Sequence, residues 1–443
     1  MAEGTKLFGM PAEKGRWMYV VLGFIVNICL GSVYAYGIFG KQLAKPTEWN
    51  LDLNTSGGIL SQQIPFGVFL LCFALLFLFS GQFLAKLGPK KQGIIGGIVV
   101  ALGWILASFV VKYTTSVPLL VLTYGVIGGA GVGISYIVPI QAATRWFPDK
   151  KGLATGLALA GFGGSPFIST YLGQKLISMS GPDGQLSDAF LYLGIMFLVV
   201  ILIASWFTKF PEAGWKPAGW TPKVSAKAAT STQDLDRKDI IKTRRFWMLF
   251  ACYTIGALAG LMAIGIYANV ATLVGIGLTM TVVQFVLAPF NAGGRPLLGF
   301  VTDKMGPRIA AIITFLVILA GAIIMIFVRS GDLASQAHKI MYFVAFIAFY
   351  LGLGGWLAIA PTATAQYFGV KNSARNYGVV FLAYGVGGLV ATFVAAYSKQ
   401  IFTGSGGVIN AFIPVAILAG LGLVLAFFFM KPPKAKEVEG PKK

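Results

Sequence analysis

The sequence predicts an all-α membrane protein of twelve transmembrane helices, arranged as two six-helix halves with both termini in the cytoplasm. Three observations lead there. Of 443 residues, 56% are hydrophobic and only 11% charged, where a soluble domain carries about 25% charged residues. The apolar residues come as repeated runs of about 20 or more, the length that crosses a bilayer. Lys and Arg are distributed unevenly between those runs, and glycine-containing turns of the first half recur in the second.

The runs fall at residues 17–40, 57–84, 92–112, 117–140, 152–178, 187–209, 244–274, 279–301, 309–329, 338–366, 374–398 and 405–430. The first exceeds the 7–15-residue apolar region of a cleavable signal peptide, so it is expected to remain as a helix. The longest polar stretch, 210–243, holds "STQDLDRKD" and divides an N-terminal half (1–209) from a C-terminal half (244–430). It reads as a cytoplasmic linker, and residues 431–443 as a disordered, membrane-proximal tail.

A net charge of +20 first suggests nucleic acid. The distribution argues otherwise. With the N-terminus inside, 27 of the 35 Lys and Arg residues lie in inner segments and 7 in outer ones, Arg295 being the remaining one. That is a strong positive-inside bias; the basic residues match an anionic lipid leaflet, and no compact basic domain exists. Cys29, Cys72 and Cys252 each lie inside an apolar run without metal-ligand spacing, and read as packing residues. No metal or other cofactor is expected.

The halves echo each other. "GQFLAKLGPKK" starts at Gly81 and "GFVTDKMGPR" at Gly299, 218 residues later, while "VPIQAATRWF" is answered by "APTATAQYF" at a similar offset. Halves in the same orientation facing a central cavity are a transporter plan. The glycine runs "GVIGGAGVG" and "LAYGVGG" sit inside apolar segments with no strand before them, so they suit close helix crossing rather than phosphate binding. Pro65, Pro166, Pro289 and Pro296 are expected kinks.

These turns carry a resemblance. Gly299, Asp303, Lys304, Gly306 and Arg308 resemble the cytoplasmic signature of the major facilitator superfamily. The first-half copy keeps Gly81, Lys86, Gly88, Lys90 and Lys91 but has Ala85 where the acid is expected, which weakens the charge latch there. "LGSVYAYGIF", "RWFPDKKGLATG" and "KNSARNYGVVF" are similar to the oxalate/formate antiporter family, a relative of the monocarboxylate transporters. The resemblance covers nearly the whole chain and implies a major facilitator fold, a multi-pass carrier in a bacterial inner membrane, and a monomer.

Arg295 poses the central question, because an arginine mid-span raises insertion free energy by about 2.5–3.5 kcal/mol on translocon scales. All fifteen acidic residues fall in tails, loops or helix ends, and the only histidine, His338, sits at an outer border. A buried cation without a counter-ion invites an anionic substrate, and guanidinium matches a carboxylate through a planar fork. The competing reading has Arg295 bonded to backbone carbonyls at a kink, since Pro296 would free the carbonyl of Ala292. The resemblance adds that an arginine on the eighth helix is the expected carboxylate ligand, and that oxalate exchangers carry a lysine on the eleventh. Here no Lys or Arg lies between Arg375 and Lys399, and Tyr384 stands near the lysine's place.

One site cation fits a monoanion. The expected function is therefore secondary transport of small monocarboxylates of the lactate, pyruvate or formate class, by exchange or by proton symport. Oxalate:formate antiport is the alternative, and a sugar or drug carrier ranks below both. Around Arg295, the expected pocket draws on Tyr34 and Tyr36, Gln62 and Gln63, Tyr124 and Tyr136, Phe346, Tyr350 and Trp356, with Asn291, one turn before, orienting the guanidinium. The proton-coupled relatives often have an acid at that last position, so Asn291 weakens the case for an intrinsic proton carrier. An enzyme would need a nucleophile, base or metal cluster in the cavity, and one border histidine supplies none.

Overall fold

The computed structural model describes residues 6–46, 48–179, 185–212, 215–217, 234–329, 335–401 and 407–430. Most of the expected linker and the whole of the expected tail lie outside these. Helices dominate: α1 (Trp17–Leu30), α2 (Tyr36–Leu43), α3 (Ser56–Tyr113), α4 (Gly129–Ser135), α5 (Ile137–Trp146), α6 (Lys151–Met179), α7 (Leu186–Phe207), α8 (Arg244–Leu273), α9 (Met280–Met305), α10 (Pro307–Arg329), α11 (Gln336–Phe368), α12 (Ser373–Val380), α13 (Leu382–Ile401) and α14 (Phe412–Phe429). A two-residue ladder pairs Lys6–Leu7 with Met10–Pro11.

Among the described residues nine helical runs are long and apolar enough to cross a membrane. One of them, α3, is 58 residues long. As a straight rod it would extend about 87 Å, nearly three times the hydrocarbon thickness of about 30 Å. It reverses at Gly88, whose φ of 72° and ψ of 171° leave the helical region. Gly306, between α9 and α10, has φ 85°. These two left-handed glycines stand 218 residues apart, the spacing of the repeated turn, and only glycine adopts such φ without steric cost.

Two further helices, α6 with 29 residues and α9 with 26, have the length of a crossing but are not among the nine. Their interiors carry polar side chains, Ser165, Ser169 and Thr170 on α6, and Gln284, Asn291 and Arg295 on α9. The four expected proline kinks fall inside helices that continue past them: α3 through Pro65, α6 through Pro166, α9 through Pro289 and Pro296.

The helices pack so that α6 lies against α9 and α3 against α13, joining the chain's first and second parts. Glycine sets these distances. A Cβ on Gly163 of α6 would come within 2.9 Å of the Ala292 backbone on α9, and one on Gly385 of α13 within 2.6 Å of Ala74 on α3. Such closeness is how helices associate where lipid removes the hydrophobic drive.

Candidate functional site

The buried face of α9 carries Gln284, Leu287, Asn291, Gly294, Arg295 and Leu298, a three-and-four spacing that stacks side chains on one helical stripe. Arg295 is 8% exposed. Its Nη1 donates to the Leu159 carbonyl on α6 at 2.8 Å, while Nε and Nη2 are buried without a well-formed hydrogen bond and the Tyr136 hydroxyl stands beside the guanidinium. Nε–H and the adjacent Nη2–H lie in the guanidinium plane and point the same way, forming the side-on fork that holds a carboxylate by two parallel bonds. Arg16 is the other buried charge among the described residues, and the contrast is informative. Its guanidinium grips Asp149 at 2.6 and 2.8 Å. Arg295 has no such acid among the described residues.

Aromatic rings enclose it. The Arg295 Cζ is 5.8 Å from the Phe162 centroid. Phe162 in turn meets Tyr34 at 5.1 Å and Tyr136 at 5.2 Å, both edge-on. Phe73 closes the far side against Tyr136 at 5.2 Å and Phe381 at 5.3 Å, and Phe381 stacks on Tyr384 at 4.9 Å. The hydroxyls of Tyr34 and Tyr384 share a hydrogen bond of 2.7 Å. The guanidinium is within electrostatic reach of Tyr34, Tyr136, Tyr377 and Tyr384. Low-dielectric walls of this kind strengthen any charge interaction inside them.

Towards the other end of α9 lies a column of buried polar side chains. Both polar atoms of Asn291 are buried without partners, the Tyr267 hydroxyl faces Thr170 and Gln284, and Gln284 Nε2 donates to the Tyr350 hydroxyl at 2.9 Å. Beyond it α3 and α8 are clasped. Asn269 Nδ2 donates to Gln62 Oε1 at 2.8 Å, Gln63 Nε2 to the Gly265 carbonyl at 3.1 Å, and the Tyr36 hydroxyl to the Gln62 carbonyl at 2.7 Å. Lys41 donates to Thr272 alongside.

The structure thus brings Tyr34, Tyr136 and Tyr384 to Arg295, puts Tyr350 beside the polar column, and uses Tyr36, Gln62 and Gln63 in the clasp. It does not bring the others. Tyr124 is nested among Tyr36, Phe69, Trp104 and Phe190. Phe346 stacks on Tyr342 at 4.3 Å, and Trp356 on Tyr253 at 5.9 Å. The expected bond from Asn291 to the guanidinium is not formed. The Asn291 backbone abuts Gly354 of α11, and Arg295 reaches instead to α6. The Ala292 carbonyl is likewise not its acceptor; the backbone oxygen it takes lies on another helix.

Of the turn motif, Gly88 and Gly306 serve the chain reversals, Gly299 has Ala358 at ordinary contact distance, and Gly81 lines a separate cavity. Lys304 lies over Phe300, and Arg308 donates to the Phe427 carbonyl. Asp303 and Lys86 make no ion pair with a described residue, so the expected charge latch is not made here. Phe73, Phe162, Tyr377 and Phe381 were not legible as site residues. The one signal was the spacing of Tyr377, Phe381 and Tyr384, which a helix places on one face.

A bundle of long apolar helices around a buried, acid-free arginine has the form of a membrane transporter of small solutes. The comparisons agree on the class. The chain belongs to the Major Facilitator Superfamily, which it matches over residues 17–392. It is a secondary transporter of small solutes, not an enzyme. The oxalate:formate antiporter of Oxalobacter formigenes is 27% identical over 421 residues, covering 93% of this chain and 91% of that one. The apicoplast pyruvate carrier 1 of Toxoplasma gondii is 23% identical, covering 83% and 81%. Human monocarboxylate transporter 14 is 31% identical, but over only 37% of this chain and 30% of its own. A crystal structure of a bacterial homolog of the human lysosomal transporter Spinster shares the fold at TM-score 0.64 and 15% identity, covering 96% and 98%.

Proposed function

We propose that the chain exchanges small carboxylates across a cell membrane, with oxalate against formate as the leading pair. In this reading it crosses the bilayer twelve times in two halves of six, both termini on the cytoplasmic face: α3 counts as two crossings about Gly88, and α6 and α9 supply the two that apolarity alone misses. The observation that carries the proposal is the free Nε/Nη2 fork of Arg295 inside its ring of phenols. A carboxylate seated there neutralises the guanidinium. With the Tyr34 and Tyr384 hydroxyls bonded to each other, one of that pair, together with Tyr136, keeps a proton to donate to a second carboxylate. The two halves then rock about an electrically quiet site, whereas an empty charged cage rocks reluctantly. That asymmetry favours exchange over net flux.

Full-length similarity to the oxalate:formate antiporter supports putting that exchange ahead of the lactate and pyruvate class. The charge count favours the second reading, a carrier of monocarboxylates alone, because Arg295 is the one cation among the described residues of the cage. Uptake of labelled oxalate, formate and lactate into proteoliposomes preloaded with each anion separates the two. Oxalate moving against formate, and lost in Arg295→Gln, supports the leading pair. Lactate or formate moving without oxalate supports the second reading. Full activity in Arg295→Gln would refute both.

A further inference from the structure

Phe77 has two environments. On one side its ring is part of the cage, 5.7 Å from Tyr136 and 4.8 Å from Phe381. On the other it borders a separate cavity of about 210 Å³, bounded also by Gly81, Ile137 and Gly378 and by three arginines, Arg145, Arg237 and Arg375. These come from three distant segments: the end of α5, a short helix (Arg237–Ile240) ahead of α8, and the first turn of α12. Among the described residues no acid lines the cavity.

Arg237 holds the arrangement together. Its Nη2 donates to the Leu78 carbonyl at 3.2 Å and the Arg375 carbonyl at 3.4 Å, tying α3 to α12, while its Nε is buried with no partner. Burial and the neighbouring Arg375 charge push its pKa below the usual guanidinium range, with Asp236 acting the other way. Arg145 lies over the Phe210 ring at 4.0 Å. Three like charges around one solute-sized space repel one another unless an anion joins them, and clefts of one sign raise local counter-ion concentration.

We infer that this cavity is a second anion site, an antechamber that captures the carboxylate one aromatic ring away from the Arg295 cage. The inference rests on the carboxylate reading of that cage. An acidic lipid headgroup has the same chemistry. The substrate is the favoured source because Phe77, which lines the cavity, packs directly on the cage rings Tyr136 and Phe381, so an anion there stands one ring away from the cage.

Ala374 lines the cavity, and Ala374→Cys turns it into a reporter that needs no transport. Protein in phosphatidylcholine vesicles is labelled with methanethiosulfonates bearing either a sulfonate or a trimethylammonium group, the parent chain giving the background of the native cysteines. The sulfonate reagent is expected to react about ten-fold or more faster, oxalate should slow it, and Arg237→Gln with Arg375→Gln should remove most of the preference while Arg237→Lys keeps it. Equal rates for the two reagents, or a preference unchanged in the double variant, would overturn the inference. So would loss of both preference and oxalate protection on adding phosphatidylglycerol, which would make it a headgroup site. If wild-type vesicles exchange no carboxylate, the Arg295 reading falls, and oxalate protection of the thiol introduced by Ala374→Cys decides the antechamber independently.

Discussion

Arg295→Gln should leave the empty carrier about as stable as the wild type and at the same time make it blind to its substrate. Two opposing terms set the size of the effect. The substitution deletes the bond to the Leu159 carbonyl, a loss of about 1–3 kcal/mol for a bond to a charged group in a buried setting. It also removes a cation held in an aromatic cage with two of its donors unpaired. Replacing buried ionic groups by neutral ones is often neutral or stabilising by about 1–4 kcal/mol. Set against each other, the two terms leave a net change for the empty protein of about −3 to +3 kcal/mol, centred near zero, where most core substitutions only destabilise. An anion at 100 times its dissociation constant stabilises the wild type by about 2.7 kcal/mol, and the variant by nothing. Thermal unfolding in detergent, followed by tryptophan fluorescence with and without oxalate or formate, reads both terms in one experiment. A variant that melts well below the wild type, or one that still gains the full anion-dependent shift, would refute the reasoning.

Arg295→Lys keeps the charge but not the fork, so anion affinity should fall about ten- to a hundredfold, corresponding to one lost charged hydrogen bond of about 1.5–3 kcal/mol, measurable by the same anion titration. Tyr34→Phe and Tyr384→Phe each break the 2.7 Å bond between the two phenols; the double variant should exchange no worse than either single one, and strictly additive rate losses would show that the bond is not a shared element. Asp149→Asn strips Arg16 of its bidentate partner while leaving the cation buried, and should destabilise by about 3 kcal/mol. Because Arg16 holds the Asp149 carboxyl below the usual carboxylate range, the wild type keeps this stability above that range and loses it as pH falls through the lowered value; the variant's unfolding temperature should lack that acid limb. Gly129→Ala would bring a methyl carbon within 2.3 Å of the Phe69 carbonyl, whereas Gly164 has nothing within 4 Å; folded yield by size-exclusion chromatography should drop for the first and hold for Gly164→Ala.

The membrane segments were legible because desolvation of the backbone leaves a helix as the simplest way to satisfy every amide in lipid, so apolar length maps directly onto structure. The run at 244–274 appears as Arg244–Leu273, and the run at 152–178 as Lys151–Met179. Arg295 was legible for the same reason, as a charge where charges are costly. The rest of the cage was not. Phe73 and Phe162 are rings among 35 phenylalanines, and nothing in one sequence separates a ring that walls a cage from one that meets lipid. Tyr124 and Trp356 failed for the converse reason, since a polar tip on a large apolar body suits an interior nest as well as a pocket. Asn291 was placed by helical spacing, which fixes a shared face but not which neighbouring helix each side chain reaches.

The bond from Arg295 to Leu159 also bears on how the chain enters the membrane. During synthesis α6 emerges long before α9, so the carbonyl that receives the guanidinium is already in the bilayer when the arginine arrives. The helix that carries Arg295 is poorly equipped to partition into lipid unaided, and its acceptor sits on another helix that is itself only modestly apolar. Insertion in chain order would give α9 its partner only once α6 is in place. An arginine proposed to recognise substrate that also bridges two helices would link two kinds of failure. Lesions in α6 that never touch the substrate would surface as missing protein rather than as altered selectivity.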